Sequence, residues 1–169
     1  MSVFEDKVLY TGTILSEING KKVTSMSNTF QNCYDLTTAP AIPSSVTNMD
    51  STFAWCPSLT TAPTIPNSVT GMFGTFNGCT SLTTAPTIPN SVTSMCYTFA
   101  YCTSLTTAPA IPNSVTNMWS TFSGCTSLAG TIEVNANPTF YDDCLKSTKI
   151  TGITGSCSQT TKDRLMATK

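Results

Sequence analysis

Apolar positions return along this chain in a fixed order, each 23 residues after the last. Phe30, Phe53, Phe76, Phe99 and Phe122 form one series, and Cys33, Cys56, Cys79, Cys102 and Cys125 a second. Met26, Met49, Met72, Met95 and Met118 keep the same step, as do Leu36, Leu59, Leu82, Leu105 and Leu128. Within a unit, Val46, Met49, Phe53 and Cys56 fall at i, i+3, i+7 and i+10, the spacing of one helical face, which predicts a short helix. Leu59, Ala62 and Ile65 follow in a Thr- and Pro-rich stretch where Pro63 and Pro66 remove donors and fix φ, so an extended segment with a corner at each end is expected. One helix and one extended segment per unit predict an α/β repeat solenoid. A lone coil cannot bury its apolar side chains, so coils stack and each column packs on its own kind. Parallel pairing of the extended segments would advance the stack by ~4.8 Å per coil, giving a body roughly 25 Å long plus caps.

Both ends depart from the repeat, as solenoids require. Val8-Leu9-Tyr10 and Thr13-Ile14-Leu15 run towards Asn19-Gly20, a two-residue hairpin signal, so residues 1–22 read as an N-terminal capping hairpin. Residues 23–128 hold the five repeats. Residues 129–169 read as a degenerate last coil and C-terminal cap. There Tyr141 and Cys144 imitate the Phe-to-Cys spacing 19 residues after Phe122 and Cys125, as a shortened coil would. Thr160 followed by Asp163 resembles a capping box, which predicts a short terminal helix through Arg164-Leu165-Met166.

Composition narrows the chemistry. Only 10% of residues are charged, against about 25% in ordinary globular chains, so hydroxyls and amides must keep the surface wet. The net charge of −1 supplies no counterion release, which argues against nucleic acid. With no His, the chain lacks the usual general base and the commonest zinc ligand. Its acids are scattered, with only Asp142-Asp143 adjacent, and a Ser or Thr nucleophile has no imidazole to activate it, so a non-enzyme is expected. No apolar run reaches bilayer length, and the acidic N-terminus does not resemble an export signal. No cofactor is implied.

The cysteine column falls on the presumed buried face, where free Cys serves as a small hydrophobe. Neither disulfide geometry nor a CxxC metal motif follows from its spacing. Cys96, Cys144 and Cys157 lie off that column, and Cys96 is expected as an exposed, reactive thiol. The methionines share the core face and read as packing rather than copper ligands. Thr37-Thr38, Thr60-Thr61, Thr83-Thr84 and Thr106-Thr107 form rows that suit solvated extended segments. Ice binding is a remote alternative for these rows, opposed by the interrupting prolines and the missing T-x-T step.

Four columns vary while their neighbours stay fixed, all on the presumed outer face of the predicted helix. They read Ser27, Asp50, Phe73, Cys96, Trp119; Asn28, Ser51, Gly74, Tyr97, Ser120; Gln31, Ala54, Asn77, Ala100, Ser123; and Asn32, Trp55, Gly78, Tyr101, Gly124. Tyr, Trp and Phe among Ser, Asn and Gly is the mixture binding loops favour. Trp55, Phe73, Tyr97, Tyr101 and Trp119 are the candidate partner-binding residues, expected as one neighbouring aromatic cluster. Drift at exposed positions, or rings tucked between helices, is the plain alternative. Between Asp50 and Glu133 no charged residue occurs, so recognition there would rest on stacking, apolar contact and neutral hydrogen bonds. Glycans and uncharged protein surfaces both suit that description, and low charge also favours self-association.

The unit's S-V-T-x-M, F-x-x-C-x-S-L and I-P-x-S elements resemble the BspA-type leucine-rich repeats of bacterial and protist surface proteins. The T-S-L-T-T-A-P-x-I-P form is similar to a sub-group from gut-bacterial cell-surface and mobile-element proteins, over residues 23–128. The resemblance implies a right-handed leucine-rich-repeat solenoid used for adhesion, host contact or protein binding, without catalysis. It also implies a cell-surface or extracellular location, although family members usually carry an export signal and often a wall anchor, and neither is evident here. Two functions are therefore carried forward: a recognition or adhesion module for a protein or glycan, and a self-assembling subunit of a fibre, surface layer or phage- or tail-like particle.

Overall fold

The computed structural model describes residues 16–18 and 20–169. Its described elements are few: β1 (Glu17–Ile18), β2 (Lys21–Lys22), β3 (Ala129–Glu133), β4 (Lys149–Thr154) and α1 (Gln159–Met166). Between β2 and β3 the repeats are built almost wholly from turns and single β-bridges. A continuous run of parallel bridges links Ser25, Asn48, Gly71, Ser94, Asn117 and Phe140, one residue per coil. A second site of pairing joins Thr38 to Thr61 and Thr84 to Thr107, within the stretch expected to be extended.

The short helix expected in each coil is absent. In its place the backbone alternates its donors. Met49, Ser51, Phe53 and Trp55 send their N–H groups to the next coil, onto Gly71, Phe73, Thr75 and Asn77 carbonyls at 3.0, 2.7, 2.9 and 2.7 Å. Thr52, Ala54 and Cys56 donate within the coil to the carbonyl three residues back, at 3.1, 3.2 and 3.3 Å. Every second residue thus closes a turn while its neighbour ties two coils together. Beyond its first turn a helix would use its N–H groups locally and leave none for the neighbour. The zigzag needs left-handed backbone at two positions per coil, met at Ser51 and Trp55 (φ 52° and 60°), Gly74 and Gly78, Tyr97 and Tyr101. Two linked turns bury residues at the same 3-then-4 spacing as a helix, which is why periodicity alone misreads them.

The core is a set of columns. Val46, Met49, Phe53, Cys56 and Leu59 are sealed from solvent, as are their equivalents in the following coils. Phe30, Phe53, Phe76, Phe99 and Phe122 stack with ring centroids 5.4–5.6 Å apart and planes within 2–8°. Hydroxyl and thiol groups of each coil saturate carbonyls of the coil before. Thr75 Oγ1 donates to Met49 O at 2.8 Å, Cys79 Sγ to Phe53 O at 3.1 Å, and Ser68 Oγ to Val46 O at 2.5 Å. Each relation repeats along the stack, so Thr, Cys and Ser in the repeat unit quench buried acceptors that would otherwise cost free energy.

At the N-terminal end β1 and β2 pair antiparallel, Glu17 with Lys22 and Ile18 with Lys21. The expected strands at 8–10 and 13–15 lie outside the described residues. At the other end, β3 and β4 pair in parallel with a register shift between Gly130 and Thr131. Tyr141 and Cys144 do not occupy the phenylalanine and cysteine columns. Met118 N–H donates to Phe140 O and Phe122 N–H to Cys144 O, the offsets of every earlier coil. Tyr141 therefore continues the methionine column and Cys144 the buried threonine column. The coil shortens later, where Lys149 pairs with Ala129. The cap of α1 is Ser158, whose side chain accepts from Thr161 N, rather than Thr160. Thr160 sits one residue inside the helix, while Asn137 Oδ1 fixes Ser158 N and Thr161 Oγ1 at 2.9 and 2.8 Å. Leu165 of α1 joins the end of the core.

Candidate functional site

The double turn that replaces the helix presents its aromatic side chains outward at two places. Trp55, Phe73, Tyr101 and Trp119 are each about half exposed. Tyr97 is partly buried. The five do not form one cluster. Phe73, Tyr97 and Trp119 make a row across three successive coils: Phe73 meets Tyr97 edge-on at 5.9 Å, and Tyr97 meets Trp119 at 6.0 Å and 42°. Trp55 and Tyr101 make no ring contact with that row among the described residues. They belong to a separate strip four or more positions further along the coil.

That strip has its own logic. Trp55 lies across Gly78 of the next coil, so a Cβ at Gly78 would stand 2.5 Å from Trp55 Cε3. Tyr101 lies across Gly124 in the same way, with a Cβ there 2.7 Å from Tyr101 Cδ1. The column reads Asn32, Trp55, Gly78, Tyr101, Gly124 because a ring in one coil needs the absence of a side chain in the next. All five residues have positive φ, from 60° to 76°. Asn and Gly adopt that backbone readily, whereas bulky L-residues pay about 1–2 kcal/mol. Trp55, Tyr97 and Tyr101 (φ 60°, 55° and 60°) hold it nonetheless.

Not every variable position is on the outside. Ala54 and Ala100 are buried, and so is Ser120. Cys96 is buried as well, at 5% exposure, which corrects its expected place as an exposed thiol. Phe73 and Trp119 hold the equivalent positions one coil either side of it, and Tyr97 bridges those two rings, so the small thiol sits beneath the row. Burial pushes its pKa up. Burial likewise lifts Cys56 and Cys125 to about 12 and Cys79 and Cys102 well above the ordinary thiol range. Each of these four also gives its hydrogen to a phenylalanine carbonyl, at 2.9–3.1 Å. Cys33, in the first coil, is the part-exposed member.

Sequence reasoning passed over Tyr34 and Phe140, which are 49% and 60% exposed. Phe140 ends the bridge ladder, where earlier coils carry Ser, Asn or Gly, and that break in the column was its signal. Also passed over were two equivalent shallow grooves on the proline side, of about 340 and 270 Å³. They run between Ala62-Pro63-Thr64-Ile65 and Pro86-Thr87, and again one coil on. The threonine pairs are all exposed, but Thr60 and Thr106 turn their hydroxyls to the Thr37 and Thr83 carbonyls at 3.1 and 3.4 Å. Among the described residues, no group of three or more His, Cys, Asp or Glu could hold a metal ion, and no helix is long and apolar enough to cross a membrane. The described ion pair, Lys146–Asp143 at 3.4 Å, is exposed and lies beyond the aromatic coils.

Comparison with known proteins gives the same architecture. A family model of the BspA-type leucine-rich repeat region, in 6 copies, matches residues 3–72 and 50–164. The fold is similar to that of the leucine-rich-repeat protein of T. pallidum, with a TM-score of 0.61 and 20% identity, covering 95% of this chain and 86% of that one. It is also similar to a leucine-rich-repeat protein from Bacteroides ovatus, with a TM-score of 0.51 and 24% identity, over 77% of this chain and 46% of that one. None of the curated proteins matches.

Proposed function

Because the chain belongs to the BspA-type leucine-rich-repeat family, we propose that it is a non-enzymatic recognition module that holds an uncharged partner, glycan or protein, on its exposed aromatics. The observation that carries this reading is the strained display of Trp55, Tyr97 and Tyr101. A left-handed turn position is filled most cheaply by Gly or Asn, and the same columns use Gly or Asn elsewhere. Aromatics placed there bring contact area with few rotatable bonds, the property that suits rigid anchors in binding surfaces. Between Asp50 and Glu133 no residue is charged, so the partner is met by stacking and neutral hydrogen bonds.

Glycan and protein arrays probed with the labelled chain test the reading. Binding should appear and should vanish on replacing Trp55, Tyr101 and Trp119 by Ala, with the melting temperature little changed. Unchanged binding in that variant would remove the site assignment. The uncharged middle of the chain also favours a second reading, a self-assembling subunit. Light scattering coupled to size-exclusion chromatography separates the two, since a monomer at high concentration is incompatible with assembly.

A further inference from the structure

We propose that Trp55 and Tyr101 form a track for a linear, uncharged, β-(1→4)-linked polysaccharide lying along the solenoid axis. The proposal rests on the aromatic recognition reading above and narrows it to one ligand class. Each ring has one face laid over a glycine of the next coil and the other face open, which accounts for exposures of 47% for Trp55 and 52% for Tyr101. Two flat platforms therefore face solvent on the same strip. They stand two coils apart, about 10 Å at the usual separation of paired strands. The coils between and beyond them carry Gly78 and Gly124 in that column, so no side chain of the column rises between the rings.

Few ligands repeat in that manner. In a chain of equatorially linked pyranoses each sugar is flipped relative to the last, so like faces recur at every second unit. The C–H face of a pyranose is apolar and stacks on an aromatic ring, while its hydroxyls lie at the edges. Those edges would meet Ser123 and Thr126, which flank Gly124 on the part-exposed and exposed surface. An α-(1→4)-linked chain coils and cannot lie along a straight track. An acidic polysaccharide would find no Lys or Arg anywhere between Asp50 and Glu133.

Calorimetric titration of the full chain with cellohexaose, chitohexaose, maltohexaose and cellobiose tests the track. At least one β-linked hexaose should bind, maltohexaose should not, and cellobiose, too short to reach both rings, should bind far more weakly. Trp55→Asn and Tyr101→Asn should each lower hexaose affinity about tenfold, equivalent to ~1.4 kcal/mol. Asn is chosen because Asn32 already occupies this column at φ 62°, so the variants keep the fold. The proposal is overturned if neither β-linked hexaose binds, if maltohexaose binds equally, or if the Asn variants bind unchanged. A protein partner whose affinity drops in Trp55→Asn would overturn the polysaccharide track yet leave the recognition reading intact. Loss of every interaction on both arrays would end both.

Discussion

Asp50 Oδ1 accepts the backbone N–H of Phe73 at 2.9 Å, one full coil away. At Asp50 and Trp119 that N–H is satisfied from within its own coil by the side chain two residues back, Asn48 Oδ1 at 2.7 Å and Asn117 Oδ1 at 2.9 Å. The third coil has Gly71 at that place and no side chain to offer. Asp50 reaches across instead, and a Cβ on Gly71 would sit 3.2 Å from its Oδ1. Asp50→Ala should therefore cost about 1 kcal/mol in urea denaturation. Adding Gly71→Asn to that variant should recover most of the loss by restoring the local turn. In the parent, Gly71→Asn alone should bring no gain, because the carboxylate already fills the space.

The stacked phenylalanines set the cost of a core deletion. Phe76 has Phe53 and Phe99 at 5.6 and 5.5 Å on either side, so Phe76→Ala should lose about 3–5 kcal/mol. Thr84→Ala, on the exposed threonine row, should stay within about 0.5 kcal/mol of the parent. Equal losses at the two sites, by chemical denaturation, would contradict the column assignment.

Gly78 is held by two constraints at once, a φ of +74° and the ring of Trp55. Gly78→Ala should destabilise by more than the ~1–2 kcal/mol left-handed penalty alone. In a Trp55→Asn background the ring is gone and only the backbone part should remain. A double-mutant cycle measures the difference, and a coupling near zero would mean Trp55 does not rest on Gly78.

The raised thiols give a signed pH dependence. Burial favours the neutral form of Cys56 and Cys125, so their folded pKa of about 12 exceeds the value near 9.0 expected once the chain unfolds. Their stabilising contribution is complete below about pH 9 and is lost as pH rises towards 12. Thermal unfolding followed across that window should fall less steeply in Cys56→Ala/Cys125→Ala.

Alkylation of the native chain reports the same burial site by site. Cys33 should react first and Cys96 slowly. Tyr97→Ala, which removes the ring bridging Phe73 and Trp119, should make Cys96 reactive. An already fast Cys96 in the parent would contradict its place beneath the row.

The stacking columns were legible because each inward residue meets its own kind, and identical contacts enforce identical residues. The local conformation was not, since Val46, Met49, Phe53 and Cys56 satisfy a helical spacing and a double turn equally. The discriminating signal was Asn28, Asn32, Gly74, Gly78 and Gly124, residues that suit left-handed backbone and break helices. Trp55, Tyr97 and Tyr101 at the same two positions masked it. Exposure of four of the five aromatics followed from their variability within a fixed frame. Their division into two strips did not, because it depends on how far each turn carries its side chain around the coil. Cys96 was misplaced for a related reason: whether a small side chain is covered is decided by its larger neighbours, not by its own column.

The alternation of ring and glycine in the Trp55 column constrains how such a gene can grow. Repeats of this kind lengthen by duplicating whole units. A copy spliced in directly after the second coil is tolerated only if it brings glycine at that place. A copy of the second or fourth coil set directly after its parent would drive one aromatic into another. A glycine coil can thus be copied alone, but an aromatic coil only together with the glycine coil that follows it, so in this one column the ring and its glycine are inherited as a pair.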